Sequence, residues 1–187
     1  MKLLNVAHTA LATRAEGPGL RMAVWVQGCP LRCPECCNPE MLPFEGGSIR
    51  TVDSLIADLE RAMDSGIEGI TLLGGEPFSQ ADELASFAES ARQRELSVMV
   101  FSGFTLAQLR SRRDPGTARL LAQIDLLVDG PFLKQRPDRQ RRWVGSANQQ
   151  IHFLTERYRA EDDCWNQPNT IELRLIDGEL HVNGFPT

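Results

Sequence analysis

The stretch that decides the fold is "MAVWVQGCPLRCPECCNPE", residues 22–40. Its first six residues form a short apolar run that predicts a buried strand. Pro30, Pro34 and Pro39 follow; because proline fixes φ and lacks an amide donor, they predict an irregular loop held in place by contacts from outside. That loop contains four of the five cysteines of the chain. The sequence therefore predicts a strand that leads directly into a cysteine-rich loop.

Further along the chain, apolar strand patterns alternate with amphipathic helix patterns. Strand patterns follow at 69–77, 96–103, 124–130 and 149–156, and helix patterns at 51–66, 80–95, 105–113 and 117–123. Strands that alternate with helices are typical of an α/β fold with a parallel sheet. We therefore expect residues 1–159 to form an incomplete (β/α) barrel of mostly parallel strands.

The last residues have a different pattern. "NTIELRLIDGELHVNGFPT", residues 169–187, predicts two strands joined at Asp177-Gly178, a dipeptide favoured in tight hairpin turns. We expect residues 160–187 to form a β-hairpin extension. An isolated hairpin is barely stable, so this one is expected to pack on the main sheet.

Composition and charge exclude some classes of protein. Of 187 residues, 42% are hydrophobic and 24% charged, which is typical of globular proteins, and no apolar run reaches the roughly 18 residues that span a membrane. The net charge of −5 argues against non-specific nucleic-acid binding. The N-terminal residues lack the continuous apolar core of a signal peptide, which predicts a cytoplasmic protein.

One basic segment departs from this acidic background. "KQRPDRQRRW", residues 134–143, is either a solvated loop or a docking patch for an anionic ligand or an acidic partner. The sequence leaves both interpretations open.

The cysteines are spaced Cys29-x3-Cys33-x2-Cys36, with Cys37 adjacent. A zinc site usually needs two separated Cys/His pairs, and the remaining candidates, Cys164 and three histidines, are scattered. An ordinary [4Fe–4S] electron carrier needs four thiolates. Three close thiolates suit a [4Fe–4S] cluster with one iron left open to bind a substrate. Cys37 is an alternative third ligand, and a metal-free cysteine cluster is the remaining alternative.

This spacing after a strand, together with "LLGGEPF", residues 72–78, resembles the radical S-adenosylmethionine superfamily. "EGPGLRMAVWVQGCPLRCPECCN", "VDGPF" and "WVGSANQ" resemble one branch of it, the small activating enzymes of anaerobic ribonucleotide reductase. The resemblance runs from about residue 16 to residue 152. It departs from the usual pattern at Cys37, where an aromatic residue is usual, and at Val144, where arginine is usual.

The resemblance implies cofactors and site residues. Cys29, Cys33 and Cys36 would bind three irons of the cluster, and S-adenosylmethionine would bind the fourth. The contacts to S-adenosylmethionine that the resemblance implies involve Glu35, Cys36, Cys37, Gly74, Gly75, Glu76, Ser102 and Asp129. All of these residues lie in the cysteine loop or at predicted strand ends, where α/β folds place their active sites.

The function that the resemblance implies is installation of a glycyl radical on a large partner, with a flavodoxin or ferredoxin-type reductant. Two alternatives stay open. One is a radical enzyme that acts alone on a small molecule or peptide, with the hairpin as lid or wall; the other is a ferredoxin-like electron carrier. Neither a nucleic acid nor a membrane is expected as partner.

Overall fold

The computed structural model describes residues 2–176 and 178–184. In order along the chain, its strands and α-helices are β1 (Leu3–Thr13), β2 (Arg21–Val26), β3 (Ser48–Thr51), α1 (Val52–Met63), β4 (Gly69–Gly74), α2 (Ala81–Gln93), β5 (Ser97–Ser102), α3 (Leu106–Ser111), α4 (Pro115–Leu121), β6 (Leu126–Asp129), β7 (Gln150–Phe153), β8 (Ile171–Ile176) and β9 (Glu179–Gly184). None of the described helices is long and apolar enough to cross a membrane.

Within the described chain, seven strands form one sheet in the order β3-β1-β2-β4-β5-β6-β7. The four central strands, β2, β4, β5 and β6, are parallel, and antiparallel strands flank them on both sides. The predicted α/β fold with mostly parallel strands is confirmed. The predicted strand at residues 22–27 was expected to be the first of the fold; this was wrong, because the N-terminal residues form β1 and the cysteine loop follows the second strand.

Successive side chains of the central strands point to opposite faces of the sheet. On one face, Met22, Val24 and Val26 of β2 join the main core with the buried sides of α1, α2 and α4. On the other face, Ala23 and Trp25 form a smaller apolar cluster. Both faces of the parallel strands are therefore covered, which explains their continuous apolar sequences.

The second face of the sheet is covered by chain that follows β6. Trp143, 1% exposed, packs beside Met99 and Val128, and its indole N–H donates to the Ala15 carbonyl at 3.1 Å. The ring of Trp165 meets Trp143 edge-on at 5.4 Å. Contacts between the sheet and the C-terminal part of the chain thus begin before the hairpin and continue into it.

The predicted C-terminal hairpin is present as β8 and β9, which pair antiparallel from Ile171↔Gly184 to Ile176↔Glu179. Of the predicted turn, Gly178 is described with φ +85°, whereas Asp177 lies outside the described residues, as do residues 185–187. The division at residue 160 stays a prediction.

Candidate functional site

The cysteine loop starts where β2 ends, and backbone hydrogen bonds fix it there. The amides of Gly28 and Cys29 donate to the carbonyls of Met41 and Leu42 at 2.9 and 3.1 Å. Arg32 and Glu35 adopt positive φ of 46° and 55°, a conformation that non-glycine residues rarely take. The loop therefore has an irregular, compact backbone, and the amides of Gly28 and Cys29 bond to the segment that leads to β3.

The Gly-Gly-Glu turn after β4 packs directly on this loop. The amide of Glu76 donates to the Gly28 carbonyl at 2.9 Å. A Cβ added to Gly75 would lie 2.4 Å from the same carbonyl oxygen, far inside van der Waals contact. Gly75 is therefore needed for close backbone packing. A substitution there would displace the cysteine loop as well as the turn.

Glu76 connects the ends of β4 and β5. Its carboxylate is fully buried and accepts hydrogen bonds from the Phe78 amide, the Ser102 hydroxyl and the Gly103 amide, all at 2.9 Å. Burial raises the pKa of Glu76 to about 7, and these hydrogen bonds oppose part of that rise. Because both oxygens bond to protein groups, Glu76 holds the two turns together; its predicted contact with S-adenosylmethionine stays a prediction.

The cysteine loop and the strand ends enclose one cavity of about 330 Å³, within the range of sites for small ligands. Eight of the ten predicted site residues line this cavity. The lining includes Cys29, Cys33, Cys36, Cys37, Gly74, Gly75, Glu76 and Ser102. The structure therefore brings the cysteines and the Gly-Gly-Glu turn together at the carboxyl ends of the parallel strands.

Two predicted contacts have other partners. Asp129, 4% exposed, accepts a hydrogen bond from the Leu106 amide at 2.5 Å and lies 2.8 Å from Nε2 of His152. Glu35 is exposed and pairs with Lys134, with 2.5 Å between Oε2 and Nζ. The Glu35 pair ties the cysteine loop to the basic segment. The predicted roles of both residues toward S-adenosylmethionine stay predictions.

Some cavity residues were not singled out from the sequence. Leu73 and Phe101 lie near the ends of β4 and β5, so the two-residue period of the strands could have indicated them. Asn169, by contrast, is distant in sequence from every motif. Its Oδ1 accepts from the amide of Trp143 at 2.8 Å, which anchors the segment that carries Val144 and Gly145 into the cavity.

Gln149 and Asn148 brace the same side. The Oε1 atom of Gln149 accepts from the amides of Gly145 and Ser146 at 3.0 and 3.1 Å. The side-chain amide of Asn148 donates to the Pro131 carbonyl at 2.8 Å. These two side chains also bond to the carbonyls of Gly130 and Pro131, so they join the end of the loop between β6 and β7 to its beginning and shape the cavity wall.

The thiols differ in their acidity. Burial raises the pKa of the Cys29 thiol. A side-chain hydrogen bond with Cys37 lowers the pKa of Cys36 to about 6 and raises that of Cys37. This hydrogen bond favours the thiolate on Cys36, and the thiolate is the form that binds iron.

The three predicted ligands have the chemistry that a [4Fe–4S] cluster requires. Within the described residues, no three His, Cys, Asp or Glu side chains form a group that could hold one metal ion. In a [4Fe–4S] cluster each thiolate binds its own iron, so the ligands surround a volume. Three thiols that line one cavity beside a glycine turn fit such a cluster together with a ligand on its open side.

Comparisons with known proteins give the family. A family profile described as a 4Fe-4S single cluster domain matches residues 15–152. The anaerobic ribonucleoside-triphosphate reductase-activating protein of Vibrio cholerae is 35% identical over 149 residues, which cover 75% of this chain and 92% of the relative. The chain belongs to this family of activating proteins.

Other members of the family match over a similar span. The activating protein of Escherichia coli K12 is 30% identical over 74% of this chain and 92% of its own length, and that of phage T4 is 26% identical over 75% and 88%. The family predicted from the motifs is confirmed. Among solved structures, QueE from Escherichia coli is similar with a TM-score of 0.49 and 14% identity, covering 56% of this chain and 55% of that one.

Proposed function

We propose that this protein uses a [4Fe–4S] cluster and S-adenosylmethionine to install a glycyl radical on an anaerobic ribonucleoside-triphosphate reductase. The observation that carries the proposal is the single cavity lined by Cys29, Cys33, Cys36 and the Gly74-Gly75 turn. The partner is inferred from the names of the relatives, because each is called an activating protein of that reductase.

The residues of the chain would divide the work as follows. Cys29, Cys33 and Cys36 would hold the cluster, and the cavity beside them would hold S-adenosylmethionine against the Gly74-Gly75 turn. When bound, the cluster and S-adenosylmethionine would together supply the one-electron radical chemistry that removes a hydrogen atom from a glycine of the partner. The protein orients these groups and keeps water away from them.

The apolar part of the cavity supports the exclusion of water. Leu31, Leu73, Phe101 and Phe132 line it together with the thiols. Lys134 and Arg139 of the basic segment also line it, and both side chains are exposed. We expect these cations to contact the partner or the carboxylate of a ligand, while the apolar side chains protect the reacting atoms.

The position of the hairpin favours a protein substrate over the small-molecule alternative. Described contacts of the hairpin go to β1 and to the loop after it, including Asn183 to Thr13 at 2.8 Å. Of the described residues after residue 160, Asn169 lines the cavity. None of the described residues of β8 and β9 lines the cavity, so we infer that these strands act neither as its lid nor as its wall. A cytoplasmic location and a flavodoxin- or ferredoxin-type reductant stay predictions, as does the absence of nucleic-acid and membrane partners.

The test is electron paramagnetic resonance of the reconstituted protein with the purified reductase, a reductant and S-adenosylmethionine under anaerobic conditions. The proposal predicts a glycyl-radical doublet that requires all four components. Cleavage of S-adenosylmethionine without any radical on the reductase would reject the proposed partner. Absence of cleavage as well would reject the radical chemistry.

A further inference from the structure

The C-terminal hairpin turns its polar side toward the protein and its apolar side outward. Side chains alternate between the two faces of a strand, and residues directly opposite each other in a pair share a face. Glu172 lies opposite Asn183, and Arg174 lies opposite His181. These four side chains make one face of the hairpin polar.

Each residue of the polar face contacts β1 or the loop that follows it. Glu172 accepts from the Arg14 amide at 2.8 Å, and Arg174 donates to the Ala12 carbonyl. The imidazole of His181 stacks on His8 at 5.5 Å between ring centroids. The polar face is thus committed to the protein's own sheet, so the hairpin cannot turn over to bury its apolar side.

The opposite face is formed by five aliphatic side chains. Leu173 faces Val182 and Leu175 faces Leu180 across the strand pair. Their exposed fractions are 50% for Ile171, 65% for Leu173, 75% for Leu175, 65% for Leu180 and 59% for Val182. Taking about 140 Å² for a whole aliphatic side chain, the face exposes roughly 450 Å² of apolar surface. Contiguous patches of that size on a monomer are often binding sites.

The area argues against a second copy as the occupant. Two hairpins packed face to face would bury roughly 900 Å² in total, about three quarters of the ~1,200 Å² that a stable interface needs. A partner that covers this face together with neighbouring surface would reach the required area. The occupant should therefore be a large protein whose main contact lies next to the hairpin.

The neighbouring surface is the wall of the cavity. Asn169 lines the cavity, and Ile171, the first side chain of the apolar face, is two residues further along the chain. Two extended residues span about 7 Å. The apolar face therefore begins close to the cavity wall, and a partner that enters the cavity lies within reach of it.

The hairpin also lies outside the part of the chain that defines the family. The matched domain ends at residue 152, whereas β8 begins at Ile171. Any docking surface that the hairpin provides would thus be added to the one shared by the relatives.

We propose that the apolar face of the hairpin is an auxiliary docking surface for the glycyl-radical partner, which makes its main contact at the cavity. This inference rests on the proposed function. The partner should present aliphatic side chains to the hairpin, beside the segment that carries the target glycine into the cavity.

The experiment compares the wild type with the double variant Leu173→Thr/Leu175→Thr, which replaces the apolar side chains by polar ones that favour a β-strand. Met63→Gln, an exposed apolar residue on α1, serves as the matched control. For each reconstituted protein, iron content, cleavage of S-adenosylmethionine with dithionite, and affinity for the purified reductase are measured. The double variant should bind the reductase at least tenfold more weakly, with iron and cleavage unchanged, and the control should bind like the wild type.

The possible outcomes distinguish a failure of the proposed function from a failure of the docking inference. A wild type that forms no glycyl radical on the reductase rejects the proposed function and the docking inference with it. If the wild type forms the glycyl radical and the double variant binds the reductase as tightly as the wild type, the docking inference alone is rejected. Sedimentation that shows a wild-type dimer, lost in the double variant while affinity for the reductase is unchanged, would assign the face to a second copy instead.

Discussion

Glu16 offers a quantitative test of how the hairpin is attached. Its carboxyl group is 3% exposed and bonds to the Gly184 backbone and the Asn183 side chain of β9. Burial raises its pKa from the ordinary value of 4.5 to about 7, although both hydrogen bonds act in the opposite direction. The folded protein therefore holds this proton at pH values where the unfolded chain has released it.

The sign of the effect follows from that difference. Between pH 4.5 and about 7 the folded state binds more protons than the unfolded state, so the contribution of Glu16 to stability falls as pH rises. Over the range from pH 5.5 to pH 8, the two pKa values give a loss of about 2 kcal/mol. In Glu16→Gln, which imitates the protonated acid, this loss should be absent.

The assay is anaerobic urea unfolding, followed by tryptophan fluorescence, of the wild type and Glu16→Gln at several pH values. The difference between the two free energies of unfolding removes the contributions of all other titrating groups. We expect this difference to shift in favour of the variant by about 2 kcal/mol between pH 5.5 and pH 8. Two stability curves that stay parallel over this range would refute the reasoning.

Two further predictions concern residues that position the core and the cavity. Arg21 is fully buried, and its hydrogen-bond acceptors include Thr71 and Ser97. Because lysine has fewer donors, Arg21→Lys should lower the free energy of unfolding by about 2–4 kcal/mol. An unchanged urea midpoint would contradict this prediction. Asn169→Ala removes the acceptor of the Trp143 amide and should weaken S-adenosylmethionine binding several-fold at unchanged iron content. The exposed Asn166, as Asn166→Ala, is the control, and equal affinity in both variants would remove Asn169 from the site.

The central strands were predictable because burial on both sides gives them continuous apolar sequences. β1 was missed because it flanks the parallel strands, and its polar residues break the apolar pattern. Asn5 exchanges hydrogen bonds with Gln80, and the ring of His8 packs against that of Trp25 at 5.0 Å between centroids, with the two planes tilted by 45°. Such polar positions are explained by tertiary partners that a local pattern does not show.

The candidate site also has a part that local sequence motifs predict and a part that depends on tertiary contacts. The cysteine loop and the Gly-Gly-Glu turn are local motifs, and the strand order brings them together as expected. The bond of Asn169 to Trp143 depends on how the chain after β7 returns across the sheet, which no local pattern encodes. The hairpin shows a further limit: the alternation of Leu173, Arg174 and Leu175 predicts two different faces but does not tell which face is turned inward.

The cluster itself provides the most direct test of the account. Iron content and the electron paramagnetic resonance spectrum of the reduced cluster, with and without S-adenosylmethionine, should be measured for the wild type, Cys36→Ala and Cys37→Ala after anaerobic reconstitution. The wild type and Cys37→Ala should hold about four irons and show a spectrum that S-adenosylmethionine changes, whereas Cys36→Ala should lose the intact cluster. Loss of iron in Cys37→Ala together with an intact cluster in Cys36→Ala would contradict the account.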